Sequence, residues 1–324
     1  MANSLMFQRF PDHNGYDDPQ FSSFYGQTLP LLKRGIPVEL VHMENTPFKD
    51  TFNGLQVLVM SYSNMKPMKS EYHNYLADWV KKGGTLVYCG EDVDPYQTVL
   101  EWWNTEGNAY KAPSEHLFEA MGLSRNPGDG IYRFGKGTVI VMREDPKHFV
   151  LKGGNDRKYF ETIASAYESK TGKKIEIKNN FMVERGPYTI AAVMDESSSK
   201  EPLKLSGLYI DLFDKDLPVL TVKQINPGEQ GYLYDLNKVS GKVKAKVLCG
   251  ASRIYDEKVG KQSYSFVAKS PLHTTNVSRV LLPRKPEKVL VNGKAEQPEW
   301  DESSKTLLLS FENDPAGVNV SIEW

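Results

Sequence analysis

Cysteine is scarce in this chain of 324 residues: there are two, Cys89 and Cys249, far apart in sequence. So few and so distant, they exclude a disulfide framework and the closely spaced thiolates of a structural zinc site. Each ends an apolar, strand-like run (TLVYC and AKVLC), the setting of a buried free thiol. An excess of positive charge is also missing. Forty Lys and Arg stand against 41 Asp and Glu, a net charge of −1, so nothing drives phosphate-backbone binding and no nucleic-acid partner is expected. The longest apolar runs, such as Leu55–Met60, fall far short of the roughly 20 residues a bilayer crossing needs, so no membrane span is expected. The opening MANSLMFQRFP lacks a basic stretch followed by an apolar one, and the chain is expected to carry no secretory signal of its own. Phosphate-cradling loops are lacking too: Gly128-Asp129-Gly130 and Gly135-Lys136-Gly137 open no helix and fit neither a dinucleotide nor a P-loop pattern. The six histidines form no pair at metal spacing, and neither an EF-hand pattern nor a Gly-x-Ser-x-Gly elbow occurs. The expected metal and cofactor sets are therefore empty.

What is present is ordinary globular composition, 40% hydrophobic and 25% charged, which argues against long disorder. Hydrophobic periodicity divides the chain into two regimes. Over residues 1–172, short apolar runs alternate with helical patterns. Strands are expected at Leu5–Phe10, Pro37–His42, Leu55–Met60, Thr85–Cys89 and Gly137–Met142, with helices at 22–34 and 156–169. The clearest helix places Tyr72, Tyr75, Leu76, Trp79 and Val80 on one face, with Ser70 as N-cap and Gly83-Gly84 as terminator. On the closing helix, Phe160, Ile163, Ala164 and Tyr167 are the expected inner face. Near-continuous Val/Leu/Ile runs separated by helices describe a parallel sheet in a doubly wound α/β layer. Over 173–324 no helix is expected, and short strands recur between turns such as Asn226-Pro227-Gly228 and Asn292-Gly293, the pattern of a β-sandwich region, undivided or split into two small β units near 240.

Open α/β sheets place ligands beyond the carboxyl ends of their strands. That crest is expected to present Gln8, Arg9, Asp12, Ser61, Ser63 and Asn64, with the acidic run Glu91, Asp92 and Asp94 after the fourth strand. The competing reading of the acidic run is a solvated loop that caps the helix begun by Pro95. Cys89 ends a strand, in an order of elements that resembles the class I glutamine amidotransferase-like fold. That fold's nucleophile sits in a Gly-x-Cys-x-Gly elbow, whereas this chain reads Val87-Tyr88-Cys89-Gly90-Glu91. The flanking elbow glycines are absent, so Cys89 is expected to be a core thiol and no catalytic residue is assigned. Adjacent Trp102 and Trp103, with Tyr110, are expected to supply interface surface, since large aromatics dominate such contacts.

The stretch FYGQTLPLLKRGIPVELV through LQVLVMSYSNMKPMKSEYHNYLADWVKKGGTLVYCG, with the later FGKGTVIVMREDP, resembles the trimerisation domain of bacterial β-galactosidases, which has the amidotransferase-like fold without its nucleophile. The C-terminal VSRVLLPRKPEKVLVNGK and WDESSKTLLLSFENDPAGVNVSIEW are similar to the β-sandwich tails of glycoside hydrolases. The resemblance implies a parent glycoside hydrolase whose catalytic carboxylates lie in a preceding (β/α)₈ barrel, for which this chain has no room. It further implies non-catalytic modules serving assembly or one wall of the active site, with carbohydrate met through the parent; whether that parent is exported, to the periplasm or as a secreted protein, is left open. The implied protein partners are copies of this chain or the barrel itself. Two other functions stand beside this one: an independent small-molecule enzyme or binding protein of the amidotransferase-like superfold, and a carbohydrate-binding protein working through its β region.

Overall fold

A computed structural model describes residues 5–6, 22–62, 65–151, 155–239 and 244–324. The chain divides into two compact units, Met1–Lys178 and Asn179–Trp324. Strand outweighs helix across the described residues.

In the first unit the strands are β1 (Leu5–Met6), β2 (Val57–Met60), β3 (Met65–Lys66), β4 (Thr85–Cys89), β5 (Gly130–Phe134) and β6 (Gly137–Met142); the helices are α1 (Ser22–Leu32), α2 (Glu71–Lys81), α3 (Pro113–Ala120), α4 (His148–Leu151) and α5 (Arg157–Thr171). The main sheet has the order β2-β4-β6-β5, parallel through β2, β4 and β6 and antiparallel at the β5 edge. Alternating side chains of β4 go to opposite layers. Leu86 and Tyr88 join the core that includes Leu76, Val80, Leu117 and Phe118 of α2 and α3. Val87 and Cys89 pack with Leu31 of α1 and Tyr159, Ile163 and Ala166 of α5. All five residues of β4 are buried, as a strand covered on both faces must be.

The five-stranded doubly wound sheet expected from the pattern is not what the described residues form. Residues 36–41 are irregular and Pro37–Leu40 are exposed, so the expected strand at Pro37–His42 does not join the sheet among the described residues. Leu5–Met6 pairs antiparallel with Met65–Lys66 in a separate two-stranded sheet, and residues 7–10 lie outside the described residues. The edge strand β5 was not expected.

Helix α2 forms where its period required, yet its buried face is turned: Tyr72, His73, Leu76, Ala77 and Val80 are inside, and Tyr75 is exposed. The rotation follows from α3, which packs on the His73 side. Ser70 precedes the helix with helical backbone angles, and its side chain does not cap. The Gly83-Gly84 pair does end it, Gly83 and Gly84 donating backbone hydrogen bonds to Val80 and Trp79. Close approach explains Gly137 as well: a Cβ there would lie 1.9 Å from the Val80 carbonyl oxygen. Helix α5 buries Tyr159, Ile163 and Ala166, with Phe160 half-buried under the Arg34 guanidinium, 4.5 Å from the ring centroid.

Among the described residues the second unit contains fourteen strands: β7 (Asn180–Arg185), β8 (Tyr188–Val193), β9 (Leu203–Asp211), β10 (Val219–Ile225), β11 (Gln230–Asp235), β12 (Lys246–Gly250), β13 (Arg253–Val259), β14 (Ser263–Lys269), β15 (Thr275–Leu281), β16 (Lys288–Val291), β17 (Lys294–Glu296), β18 (Glu299–Asp301), β19 (Thr306–Glu312) and β20 (Val318–Glu323). One sheet has the order β10-β9-β11-β8-β7. The sheets β12-β15-β19-β18 and β13-β14-β20-β16-β17 form a sandwich around Tyr264, Phe266, Val280, Leu307, Val320 and Ile322. Strict alternation of buried and less buried residues along β14 and β20 shows why period-two reading succeeds for such strands. The first sheet joins β12, β15 and β19 through an apolar cluster that includes Ile210, Leu217, Tyr234 and Leu248.

Candidate functional site

Three loops meet beyond the carboxyl ends of β2, β4 and β6. The chain turns sharply after β4: Asp92 adopts φ 59°, a left-handed conformation that Asp and Asn tolerate better than most residues. This aims its carboxylate back into the molecule. It accepts hydrogen bonds from the Tyr88 hydroxyl, from Ser114 Oγ at 2.7 Å and from Arg143 Nη1 at 2.6 Å. The carboxylate thereby joins β4, the first turn of α3 and the end of β6. Arg143 is held further by the Gly90 and Pro127 carbonyls, at 3.3 Å and 2.9 Å, while its backbone N–H donates to Asp129. Ser61 borders Gly90 closely: a Cβ on Gly90 would lie 3.1 Å from Ser61 Oγ.

A second carboxylate organises the next turn. Asp94 accepts from the Tyr96 backbone N–H at 3.1 Å and from Gln97 Nε2 at 2.6 Å, capping the 3₁₀ turn at Pro95–Thr98. It also pairs with the fully buried Lys66 at 2.7 Å, whose ammonium donates to the Tyr62 carbonyl at 3.2 Å. Burial pulls the Lys66 ammonium below its ordinary value and pushes the Asp94 carboxyl above its own, and the attraction between the two offsets this only in part.

Beneath these pairs runs a buried chain of polar rings. The Tyr62 hydroxyl lies 2.7 Å from His73 Nε2 and 3.3 Å from Met43 Sδ, and His73 Nδ1 lies 2.8 Å from His116 Nδ1. Trp102 abuts both imidazoles edge-on, at 5.6 Å and 5.4 Å, and Tyr110 abuts His116 at 5.3 Å. Burial, then the neighbouring His116, holds His73 well below its ordinary pKa; burial also lowers His116, against the pull of Glu119.

Of the residues expected at the crest, Ser61, Glu91, Asp92 and Asp94 lie there. Glu91 is exposed, whereas Asp92 and Asp94 are half-buried and engaged. Gln8, Arg9, Asp12, Ser63 and Asn64 lie outside the described residues. The reading of the acidic run as a solvated loop is half right: Asp94 is a cap, but both aspartates carry cations. Sequence reasoning missed Lys66, His73, His116 and Arg143. Each sits on a different element from its partner, so no spacing signals the contact.

Trp103 is corrected outright. It is fully buried, with Nε1 donating to the Gln97 carbonyl at 3.0 Å, and cannot be interface surface. The segment after the 3₁₀ turn folds back on itself, Tyr110 N–H donating to the Trp103 carbonyl, and closes over the indole. Trp102 and Tyr110 are half-buried; Trp102 Nε1 donates to the Pro67 carbonyl at 2.7 Å, and the Tyr110 hydroxyl to Glu119.

Cys89 is fully buried on the α1/α5 side of the sheet, with Sγ 3.8 Å from the Glu144 carbonyl. Burial and then the nearby Glu144, Asp145 and Asp129 push its thiol pKa far up, so it stays protonated. Burial also pushes the Cys249 thiol up, to about 11. Native protein is therefore expected to resist iodoacetamide at neutral pH at both cysteines, with two labels per chain after denaturation; rapid native labelling of Cys89 would contradict its placement. Among the described residues no group of three or more His, Cys, Asp or Glu could hold a metal ion, and no helix is long and apolar enough to cross a membrane.

No family model matches the sequence, and no curated protein matches it. Solved structures with some likeness of fold include Gan42B, a GH42 β-galactosidase, at TM-score 0.39 and 14% identity, over 70% of this chain and 37% of that one. A catalytic mutant of Gan42B from G. stearothermophilus gives 0.38 and 14%, over 69% and 38%. The GH31 dextranase FjDex31A of Flavobacterium johnsoniae, complexed with glucose, gives 0.27 and 10%, over 95% and 55%. The chain thus spans from about a third to about half of the length of these solved chains, which are glycoside hydrolases.

Proposed function

We propose that this chain is a non-catalytic portion of a carbohydrate-active enzyme, in which the first unit serves assembly or forms one wall of a neighbouring active site and the β-rich unit supports it. The observation that carries this reading is the self-sufficiency of the crest. Asp92, Asp94, Lys66 and Arg143, the buried and half-buried charged side chains brought together there, are bound to one another and to backbone carbonyls, while Glu91 is exposed. Hydrolysis of a glycoside requires two carboxyl groups free to face a substrate, one protonated as acid and one ionised. Asp92 accepts three hydrogen bonds and Asp94 closes an ion pair and a cap, so neither has the freedom that this role demands. A thiol mechanism is disfavoured on the same physical grounds, since Cys89 is buried, protonated and packed into the α1/α5 layer.

The resemblance of the GIPVELV, LQVLVM and GGTLVYC segments to a β-galactosidase trimerisation domain supplies the choice of parent enzyme. Chromogenic β-galactosides and related glycosides, offered to this chain alone and to the complete parent protein, test the reading. No turnover is expected from the chain, and turnover is expected from the parent. Hydrolysis by the purified chain at a rate proportional to its concentration would overturn the proposal.

A further inference from the structure

The imidazoles of His73 and His116 meet Nδ1 to Nδ1 at 2.8 Å, a distance that requires one shared proton. With both rings neutral, one nitrogen donates and the other accepts, and each choice dictates the rest of the chain. The Tyr62 hydroxyl has a better acceptor in His73 Nε2 at 2.7 Å than in Met43 Sδ at 3.3 Å. When Tyr62 donates to Nε2, His73 must carry its proton on Nδ1 and donate it to His116, which then holds its own proton on Nε2.

We propose that this pair is a one-proton relay, in which protonation of the half-buried His116 reverses every hydrogen bond inward to Met43. As a cation His116 holds protons on both nitrogens and donates from Nδ1. His73 then accepts at Nδ1 and carries its single proton on Nε2. Tyr62 accepts there and turns its hydroxyl to Met43 Sδ. The chain holds three such protons before the event and four after it, with the added charge on His116 alone. Between the two states the proton between the rings passes to His116, His73 gains the added proton at Nε2, and the Tyr62 hydroxyl hydrogen turns from His73 to Met43 Sδ. A second proton would place two N–H donors face to face, so the pair takes up one.

The surroundings fit a charge at the outer end. His116 on α3 faces Glu119 one turn on, whose carboxylate is bound by Tyr110 and by Arg125. The edges of Trp102 and Tyr110 complete its walls. At the inner end, Asp92 and Glu44 act on the Tyr62 hydroxyl, and the Tyr62 carbonyl holds the Lys66 ammonium, itself paired with Asp94. The charge that settles on His116 of α3 is thus linked to the hydrogen bonds beside the Lys66–Asp94 pair. This inference does not depend on the parent enzyme proposed above.

Long-range ¹H–¹⁵N spectra of the histidine rings, recorded on the intact chain from about pH 8 down to about pH 4, test it, since they report which nitrogen carries the proton. His73 is expected as the Nδ1–H form at high pH and as the Nε2–H form at low pH, switching together with the titration of His116. A His73 tautomer that stays constant through that titration would overturn the relay.

Discussion

Replacing Lys66 by Met is expected to destabilise the first unit by about 3 kcal/mol, near the lower end for breaking a buried ion pair. The side chain is fully buried, and Met fills similar volume, so packing changes little. What remains is the Asp94 carboxylate, 15% exposed, which keeps its contacts with Tyr96 and Gln97 but loses its cation. The double variant Lys66→Met/Asp94→Asn is expected to return to within about 1 kcal/mol of the wild type, because an amide retains the cap and needs no counter-charge. The pH dependence has a definite sign. Burial already raises the Asp94 pKa in the folded state, and loss of Lys66 raises it further. A folded-state pKa above the unfolded value means stability that is present at low pH and lost as pH rises through the folded value. The deficit of Lys66→Met should therefore shrink on acidification below neutral pH. Native-state hydrogen exchange of the β4 amides isolates this unit from the other. If the double variant is less stable than Lys66→Met, the pair is not the source of the effect.

Asp92→Ala is expected to cost about 3–5 kcal/mol, the larger of the two effects. Three donors lose their acceptor at once: the Tyr88 hydroxyl, the Ser114 hydroxyl and the Arg143 guanidinium, and the first two belong to fully buried or nearly fully buried residues. An unpaired buried hydroxyl costs roughly 1–3 kcal/mol, and a half-buried cation without its carboxylate adds to that. Alanine also accepts the left-handed backbone at Asp92 poorly, by about 1–2 kcal/mol. Asp92→Asn separates these contributions, since Asn tolerates φ 59° and keeps one carbonyl oxygen as acceptor while removing the charge. The expected order of stability is wild type, then Asn, then Ala, read again from β4 amide exchange. An Ala variant within about 1 kcal/mol of the wild type would show that the carboxylate does not hold β4, α3 and β6 together.

The readings that held and those that did not differ in kind. The strands at 57–60, 85–89 and 137–142, and the helix between the first two, were legible because burial on both faces of a parallel sheet writes an uninterrupted apolar run, and a helix between sheet and solvent writes a 3.6-residue period. The sandwich strands were legible through period two. Residues 37–41 carried a strand-like pattern and are irregular among the described residues, since a strand also needs a partner with which to exchange hydrogen bonds along its length, and no local pattern shows whether one arrives. The exposure of Tyr75 and the burial of His73 and Trp103 were decided by the neighbours α3 and the 99–111 segment.

The same division runs through the site. Asp92 and Asp94 were conspicuous as an acidic run after a strand, because carboxylates near a helix start have a local meaning. Their partners were not. Arg143 lies 51 residues from Asp92, Lys66 28 from Asp94, and His116 43 from His73. Sequence alone determined where apolar runs and glycine breaks must fall, since these answer to energies within a few residues. Only the tertiary structure decided which cation neutralises which carboxylate and which ring faces which, because those energies depend on distances that the folded chain sets between residues remote in sequence.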